Sequence, residues 1–297
     1  LNIGAEGILS NHGDGVVNNE GGTLNIYDGG MLNNYDYGML RNRFGAKLYN
    51  YGTLNNLNGV LRNYISAELN NYGRLQNDFW LENMGTVNNY ASGTLNNTSY
   101  LAVGHIEEPG PASYGGTLNN WGTLNNSGLL EIASFFQFPP TTLNNWGTLN
   151  NEGSGAKINI AGTLTGSGPV GGTLKNYGTL FNYAELNNYG GTLENWGRLE
   201  NGTDVMLYNS GALKNNSGGT LNNSGSLIND LSGTITNAGK LNNYGKVTIQ
   251  SGTLTNLVLT NAWKAAPVST NAIQDNWLAT FGDAQLDALI IEAMTNN

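Results

Sequence analysis

The sequence has 297 residues, a net charge of −9, only 11% charged side chains, 43 glycines and no cysteine. An ordinary globular domain carries roughly 25% charged residues, so this composition is strongly biased. The acidic balance argues against nucleic acid and anionic membrane surfaces as partners, because both are bound through Lys and Arg. No apolar run reaches the roughly 20 residues of a membrane-spanning helix, so membrane insertion is not expected. Without cysteine there are no disulfides or thiolate metal sites.

One short phrase is repeated from Leu9 to Leu254. Gly-Thr-Leu-Asn-Asn occurs verbatim six times, and an apolar residue, nearly always Leu, recurs at spacings of 6, 7 or 8. This period fits neither an amphipathic helix nor a heptad coiled coil, and a glycine in each unit disfavours helix. Short strands with Gly and Asn corners fit it, and because one unit cannot bury its Leu alone, neighbouring units must stack. The pattern predicts an all-β, single-stack parallel β-solenoid over residues 1–260.

The number of sides in each coil is less directly encoded. Between Leu193 and Ile235 the spacings alternate between 6 and 8, a register of 14 that suits a flattened two-sided coil. Between Leu48 and Leu69 they run 6, 7 and 8 and total 21, which suits three sides. We expect three sides of 6–8 residues, because one Leu per side leaves a two-sided coil with a very thin core. Handedness stays open, with a right-handed coil favoured.

The unit that begins at Thr117 illustrates the role expected of each position. Strand alternation points Leu118 inward and places Thr117 and Asn119 on the outer face. Asn120 then points inward at the corner, where stacking on the equivalent Asn of the next coil satisfies its amide. Gly122 is expected to supply the positive φ that the corner requires. The residues predicted to form such asparagine ladders are Asn56, Asn97, Asn120, Asn126, Asn145, Asn151 and Asn223.

Aromatic residues at the corners are the most suggestive functional feature. Tyr or Trp often follows Asn-Asn, and by alternation these rings face outward and stack in columns about 5 Å apart. They either rigidify the solenoid or form a strip that contacts sugar rings or another copy. The candidate contact residues are Tyr35, Tyr72, Trp121, Trp146, Tyr177, Tyr189, Trp196 and Tyr244. The outward Thr-x-Asn pairs, such as Thr123 and Asn125, also resemble the spaced hydroxyls of ice-binding solenoids, although bulky corner rings spoil a flat lattice.

Other chemistry-bearing residues give weak signals. His12 and His105 are the only histidines and lie far apart, which predicts surface residues rather than a metal site or a catalytic triad. The segment Gly166–Gly171 matches a dinucleotide fingerprint in letters, but no helix pattern follows it, so a loop is expected and no cofactor. Two carboxylate pairs have a spacing that would make them neighbours on the solenoid, although solvated surface charge accounts for both: Asp28 with Asp36, and Glu194 with Glu200.

Three stretches interrupt the rhythm: Ala102–Gly115, Glu131–Thr141 and Thr165–Gly172. In solenoids such insertions leave as loops on one side. Regularity ends after Thr260; residues 261–275 are predicted to be a linker and residues 276–297 a short helical tail, with Asp283 as its N-cap.

Two family resemblances follow from these motifs. The pattern Gly-x-Leu-x-Asn, seen twice from Gly116 to Asn126, resembles the Gly/Asn-rich repeats of filamentous-haemagglutinin-like bacterial adhesins, and the resemblance covers about 1–259. It implies a secreted, rod-shaped surface protein used for attachment or matrix. The segment Asn276–Ala293, with Trp277, Phe281 and Asp283, resembles the start of TolC-like outer-membrane efflux factors. That resemblance implies a Gram-negative source and a fused or truncated gene, but the long helices and barrel strands of that family do not follow.

The sequence therefore predicts a non-enzymatic extracellular structural or adhesive β-solenoid, without cofactor or metal, at the surface of a Gram-negative bacterium. Its expected partner is itself, through lateral or head-to-tail contacts, because the first residues enter the repeat with no capping segment and leave a strand edge open. One alternative is a polysaccharide-binding module that uses the corner Tyr and Trp columns. The other is a fragment of an efflux-related fusion.

Overall fold

The computed structural model describes residues 1–104, 115–133, 140–161 and 171–255. Every regular element in these ranges is a short strand, and the strands form three parallel sheets of 12, 11 and 11 members. Each strand pairs with the one three places further along the chain, so one strand of each sheet makes up a coil. The all-β, three-sided parallel β-solenoid predicted from the sequence is confirmed. The predicted linker and helical tail lie outside the described residues, and their boundaries stay predictions.

Sheet A contains β1 (Asn2–Ile3), β4 (Thr23–Ile26), β7 (Lys47–Asn50), β10 (Glu68–Asn71), β13 (Thr86–Asn89), β16 (Thr117–Asn120), β19 (Thr142–Asn145), β22 (Thr173–Asn176), β25 (Thr192–Asn195), β28 (Ala212–Asn215), β31 (Thr234–Asn237) and β34 (Thr253–Thr255). Sheet B contains β2 (Ile8–Asn11), β5 (Met31–Tyr35), β8 (Thr53–Leu57), β11 (Arg74–Asn77), β14 (Thr94–Asn97), β17 (Thr123–Asn126), β20 (Thr148–Asn151), β23 (Thr179–Asn182), β26 (Arg198–Asn201), β29 (Thr220–Asn223) and β32 (Lys240–Asn243). Sheet C contains β3 (Val16–Glu20), β6 (Met39–Arg43), β9 (Val60–Asn63), β12 (Trp80–Asn83), β15 (Tyr100–Val103), β18 (Leu129–Ala133), β21 (Lys157–Ala161), β24 (Glu185–Tyr189), β27 (Met206–Asn209), β30 (Ser226–Asn229) and β33 (Lys246–Ile249).

The core is a stack of aliphatic side chains from the second position of each strand. The strand partners are in register, so Leu118 lies between Val87 and Leu143 on sheet A and all three are fully buried. Burial of an aliphatic side chain of this size contributes about 1.5–3 kcal/mol, and the repeat supplies one such side chain on every side of every coil. The three rows of aliphatic residues, one from each sheet, therefore form one continuous core cluster.

Corner length explains the spacing pattern that suggested two sides. A four-residue strand followed by a two-residue corner gives a spacing of 6, as from β25 to β26, and a four-residue corner gives 8, as from β26 to β27. Short and long corners alternate through this part of the chain while strands are still assigned to three sheets in turn. The 14-residue spacing between Leu193 and Ile235 thus results from the alternation of short and long corners, and it does not indicate the number of sides.

Inward asparagines at the corners form the expected ladders. Each Asn Nδ2 donates to the Oδ1 of the equivalent Asn in the next coil, as in Asn120 to Asn145 at 2.7 Å, and also to a main-chain oxygen, here of Thr148 at 2.9 Å. The second bond fixes which amide atom is the nitrogen, because a carbonyl oxygen only accepts. All seven asparagines predicted to be ladder members take part: Asn120 and Asn145 in the ladder of sheet A, and Asn56, Asn97, Asn126, Asn151 and Asn223 in that of sheet B.

The ladder of sheet C is interrupted at one place. Asn83 and Asn188 are its members on either side, and Val103, Ile132 and Ile160 occupy the three positions between them. These three aliphatic residues belong to the strands that precede residues 105–114, 134–139 and 162–170, so the flanks of all three predicted insertions lie at the corner between sheets C and A of consecutive coils. At each of these three flanks an aliphatic residue takes the place of the inward amide. The flanks lie on one side of the solenoid, which is the one-sided placement expected of the insertions from the sequence.

The role assigned to Gly122 was wrong. Its φ is not among the positive values, which occur instead at longer corners such as that of Gly45, with φ 74°. A Cβ on Gly122 would overlap the main-chain oxygens of Gly93 and Tyr90 in the preceding coil. Glycine is therefore required at the short corner because consecutive coils approach closely there, and not because of a left-handed backbone.

Candidate functional site: an aromatic column between uncharged faces

Seven aromatic rings form an unbroken stack at the corner between sheets A and B. Ring centroids of consecutive members are 4.1–5.5 Å apart and the interplanar angles are 3–15°. We call this feature the aromatic column; its members are Tyr51, Tyr72, Tyr90, Trp121, Trp146, Tyr177 and Trp196. The stacking expected of the corner aromatics is thus confirmed at this corner.

The main chain sets the spacing of the column. Each ring belongs to the residue that directly follows the inward asparagine of a sheet A strand. The backbone N–H of Trp121 donates to Asn89 O at 2.8 Å and that of Trp146 to Asn120 O at 2.7 Å, and the same bond recurs in the next coil at Tyr177. Since strands of a sheet lie about 4.7–4.9 Å apart, successive rings are held at a stacking distance. Each stacked pair contributes about 0.5–1.5 kcal/mol beyond burial.

Stacking decides which part of each ring is accessible. Rings inside the column place both faces against neighbours, so solvent reaches mainly their edges and polar groups. Trp121, Trp146 and Tyr177 nevertheless remain 38–41% exposed. Burial, followed by a hydrogen bond with Tyr90, raises the pKa of Tyr72 to about 12. The column is consequently a row of ring edges, and it offers few free ring faces on which a flat ligand could lie.

Uncharged amide and hydroxyl groups line both sides of the column. On sheet A, Asn119 Nδ2 donates to Asn88 Oδ1 at 2.9 Å, and Asn144 continues this outer ladder at 2.9 Å. On sheet B, Asn125 donates to Asn96 at 2.9 Å in the same manner. The outer ladders donate towards the amino-terminal coil, opposite to the inner ladders. In the coils of Tyr90, Trp121 and Trp146, the strands of sheets A and B carry no charged residue.

The structure divides the predicted contact residues among three corners. Five of the eight, namely Tyr72, Trp121, Trp146, Tyr177 and Trp196, belong to the aromatic column. Tyr35 ends a sheet B strand and stacks on His12 at 5.6 Å, whereas Tyr244 follows a sheet B strand and is 72% exposed. Tyr189 ends a sheet C strand and lies 5.6 Å from Tyr208 at 47°. Tyr51 and Tyr90 were not among the eight candidates but belong to the column; each directly follows an inward asparagine, a signal that the sequence shows without naming the corner.

The carboxylate pairs are not brought together, so their expected proximity was wrong. Asp28 follows a sheet A strand and Asp36 a sheet B strand, so they occupy different corners. Glu194 Oε1 lies 3.1 Å from Lys214 Nζ on sheet A, whereas Glu200 pairs with Arg198 on sheet B. Among the described residues there is no cluster of three or more His, Asp or Glu side chains that could hold a metal ion. His105 and residues 162–170 lie outside the described residues.

A second polar group lies on the outer face of sheet C. Arg62 Nε lies 2.9 Å from an oxygen of Glu82, a side chain only 1% exposed although it projects outward. The Tyr100 hydroxyl donates to Glu131 Oε2 at 3.0 Å. Burial raises the pKa of Glu131, and the Tyr100 hydrogen bond partly opposes that shift. Glu82 and Glu131 are separated by Ala102 in the strand register, and both contacts stabilise the outer face of sheet C.

Comparisons with known proteins give limited information. No protein-family model matches the sequence, and no curated protein matches it. Among solved structures, the crystal structure of a TibC-catalysed hyper-glycosylated TibA fragment matches at 14% identity, over 83% of this chain and 93% of that chain, with a TM-score of 0.20. So few identical residues and so low a score do not bear on what this chain binds. In the described part of the chain, no helix has the length and apolarity needed to cross a membrane.

Proposed function

We propose that this chain is a non-enzymatic, extracellular structural or adhesive β-solenoid, and that it is a subunit of a self-assembling surface fibre or matrix. The observation that carries the proposal is the density of bonding between consecutive coils. Two inner amide ladders run along most of the described solenoid: that of sheet B begins with Asn11 to Asn34 and ends with Asn223 to Asn243. The ladder of sheet A begins with Asn50 to Asn71 and ends with Asn215 to Asn237. Added to the sheet hydrogen bonds and the aromatic column, they resist separation of the coils along the axis.

The same observation accounts for the unusual composition. Most inward polar side chains are amides that hydrogen-bond to one another, so the described solenoid needs few charged residues and no cysteine. Hydrogen bonds inside a dry core are individually worth about 0.5–1.5 kcal/mol, and a repeated ladder adds one such bond at each step. A structural protein that is pulled along its long axis needs this bonding between consecutive coils, and it needs no catalytic cleft.

Electron microscopy of the purified protein over a range of concentrations tests the proposal. Fibres or bundles that lengthen with concentration are the expected result, because heterologous contacts that do not close give filaments. Discrete particles of one chain at every concentration would contradict the assembly part. The adhesive part is tested by counting how many beads coated with the protein attach to a surface, with bare beads as control. Equal attachment of coated and bare beads would contradict it.

Polysaccharide binding is the second candidate function. The uncharged amide and hydroxyl groups beside the column favour it, since such groups form hydrogen bonds with neutral sugars. The occupied ring faces oppose it, because a sugar ring would have to rest on edges. Glycan-array binding that is lost in Trp121→Ala, Trp146→Ala and Trp196→Ala variants would favour this alternative, and unchanged binding in all three would exclude the column as the sugar site.

A further inference from the structure

We propose that the aromatic column, with the uncharged rows on either side, is a lateral contact surface for a second copy of this chain. This inference rests on the proposed function, in which copies associate, and it specifies where the side-by-side contact lies. The contact strip consists of the seven column rings, the third-position residues of sheet A and the first-position residues of sheet B. Its centre is the row of Thr94, Thr123 and Thr148 beside Tyr90, Trp121 and Trp146.

The first argument is the distribution of charge. The chain carries a net charge of −9, so two copies repel each other over most orientations. The contact strip differs from that average, because its middle coils carry no charge on sheets A and B. The coils on either side of these middle coils carry four cations and three anions on sheets A and B: Lys47, Arg74, Lys175, Arg198, Glu68, Glu194 and Glu200. Contact through this strip therefore avoids the general repulsion.

The second argument is that the flanking charges are complementary to themselves in an antiparallel pair. If a second copy is turned end over end about the level of Trp121, sheet A faces sheet A. The coil of Tyr72 then meets the partner's coil of Tyr177, which places Glu68 on the same flank as the partner's Lys175. One coil further out, Lys47 lies on the same flank as the partner's Glu194. These registers follow from the strand order.

A parallel pair lacks this complementarity. In that arrangement sheet A of one copy faces sheet B of the other at the same level. Glu194 then lies at the level of the partner's Glu200 as well as the partner's Arg198, because both belong to one strand. The antiparallel arrangement brings only opposite charges or neutral groups to the same flank. A two-fold contact is self-complementary by definition, and in charge the strip satisfies that condition in the antiparallel arrangement.

The size of the strip sets the expected affinity. Six coil steps of about 4.8 Å and a width of about 15 Å give roughly 430 Å² per copy, about half the 800 Å² per partner of a standard interface. Association in dilute solution is then expected to be weak, because contacts of this size belong to the small, transient class of interfaces. Copies attached to one surface or fibre would associate more strongly, because attachment raises their effective concentration.

A pair of matched charge variants tests the contact. Thr123→Glu places a carboxylate beside Trp121 at the centre of the strip, and Thr220→Glu places one at the equivalent position of sheet B beyond the last ring, next to Asn216. Sedimentation equilibrium up to about 0.3 mM should show reversible self-association for the unaltered chain and for Thr220→Glu, and at least fivefold weaker self-association for Thr123→Glu. Circular dichroism and melting temperature establish that both variants are folded. A folded Thr123→Glu variant that associates like the unaltered chain would overturn the proposal.

Cross-linking supplies an independent readout, since the chain contains no cysteine. Under mild oxidation Thr123→Cys should give covalent dimers and Thr220→Cys should not; equal yields would overturn the proposal. Electron microscopy separates this inference from the proposed function. Fibres that stay one chain wide, without Thr123→Cys cross-links, would refute the lateral contact and leave the fibre role standing. Cross-linked pairs without fibres would refute the fibre role and leave the contact standing.

Discussion

Replacement of Asn120 by Ala measures the contribution of one step of an inner ladder. The side chain is fully buried, accepts a hydrogen bond from Asn89 Nδ2 at 2.7 Å and donates to Asn145 Oδ1 at 2.7 Å and to Thr148 O at 2.9 Å. The substitution removes all three bonds and leaves Asn145 Oδ1 buried without its donor. At about 1 kcal/mol for each of the three bonds and about 1–3 kcal/mol for a stranded buried group, we expect a loss of about 4–6 kcal/mol in the free energy of unfolding.

The adjacent residue provides the matched control. Asn119 lies on the same strand but points outward and is half-buried, and its amide makes the two outer-ladder bonds to Asn88 and Asn144, both at 2.9 Å. Water can replace these bonds, so Asn119→Ala should cost about 0.5–1 kcal/mol. Urea unfolding followed by far-ultraviolet circular dichroism measures both variants. Equal losses for Asn119→Ala and Asn120→Ala would refute the reasoning that inward amides cross-link the coils, as would a loss below about 1 kcal/mol for Asn120→Ala.

Sheet C allows the reverse experiment. Ile132 occupies a ladder position between Val103 and Ile160, so neither of its neighbours in the strand register carries a side-chain amide. Ile132→Asn would bury an amide without ladder partners, which costs about 1–3 kcal/mol in addition to the lost apolar contacts. A neutral or stabilising effect in the same urea assay would show that the ladder positions tolerate isolated amides.

Three further predictions concern backbone approach and titration. Gly122→Ala should lower the melting temperature far more than Gly45→Ala, because the added Cβ at position 122 overlaps the preceding coil. At position 45 the added Cβ meets open space, so only the positive φ is unfavourable, by about 1–2 kcal/mol. Similar shifts for the two variants would contradict the steric explanation. The pKa of Tyr72 is raised from 10.0 to about 12, so its contribution to stability is present below pH 10 and is lost as pH rises through about 12. In Tyr72→Phe the free energy of unfolding should therefore fall less steeply with pH between 10 and about 12. An unchanged pH dependence would contradict this assignment. The pKa of Glu131 is raised by burial. Its contribution to stability is therefore complete below the ordinary pKa near 4.5 and is lost as pH rises through the folded-state pKa. Glu131→Gln should have the melting temperature of the unaltered chain at low pH and a higher one at pH 7. A lower melting temperature of the variant at pH 7 would contradict that sign.

The repeat encodes local structure almost completely. Alternation along a four-residue strand places Leu inward, and the asparagine at the following corner is satisfied by its counterpart in the next coil. These two constraints act within one unit and between adjacent copies, so they could be read from the phrase Thr117–Gly122 alone. They predicted the parallel stacking, the aliphatic core and the ladders that contain Asn120 and Asn126.

The assignment of residues to corners could not be read in this way. Which corner a residue occupies depends on the number of sides and on every corner length before it, and these accumulate along the chain. For that reason Tyr35, Tyr72 and Tyr189 follow similar phrases but lie at three different corners, and the expected neighbours Glu194 and Glu200 lie on different sheets.

What the sequence determined by itself is the repeating unit, with its inward Leu and Asn, because those preferences arise from strand alternation and from burial of a single side chain. What only the tertiary structure decided is the alignment between distant units: the seven rings of the aromatic column, the outer ladders beside it, and the close approach that requires glycine at position 122. Each of these features depends on the distance between residues 18–31 positions apart, and that distance exists only after the coils have stacked.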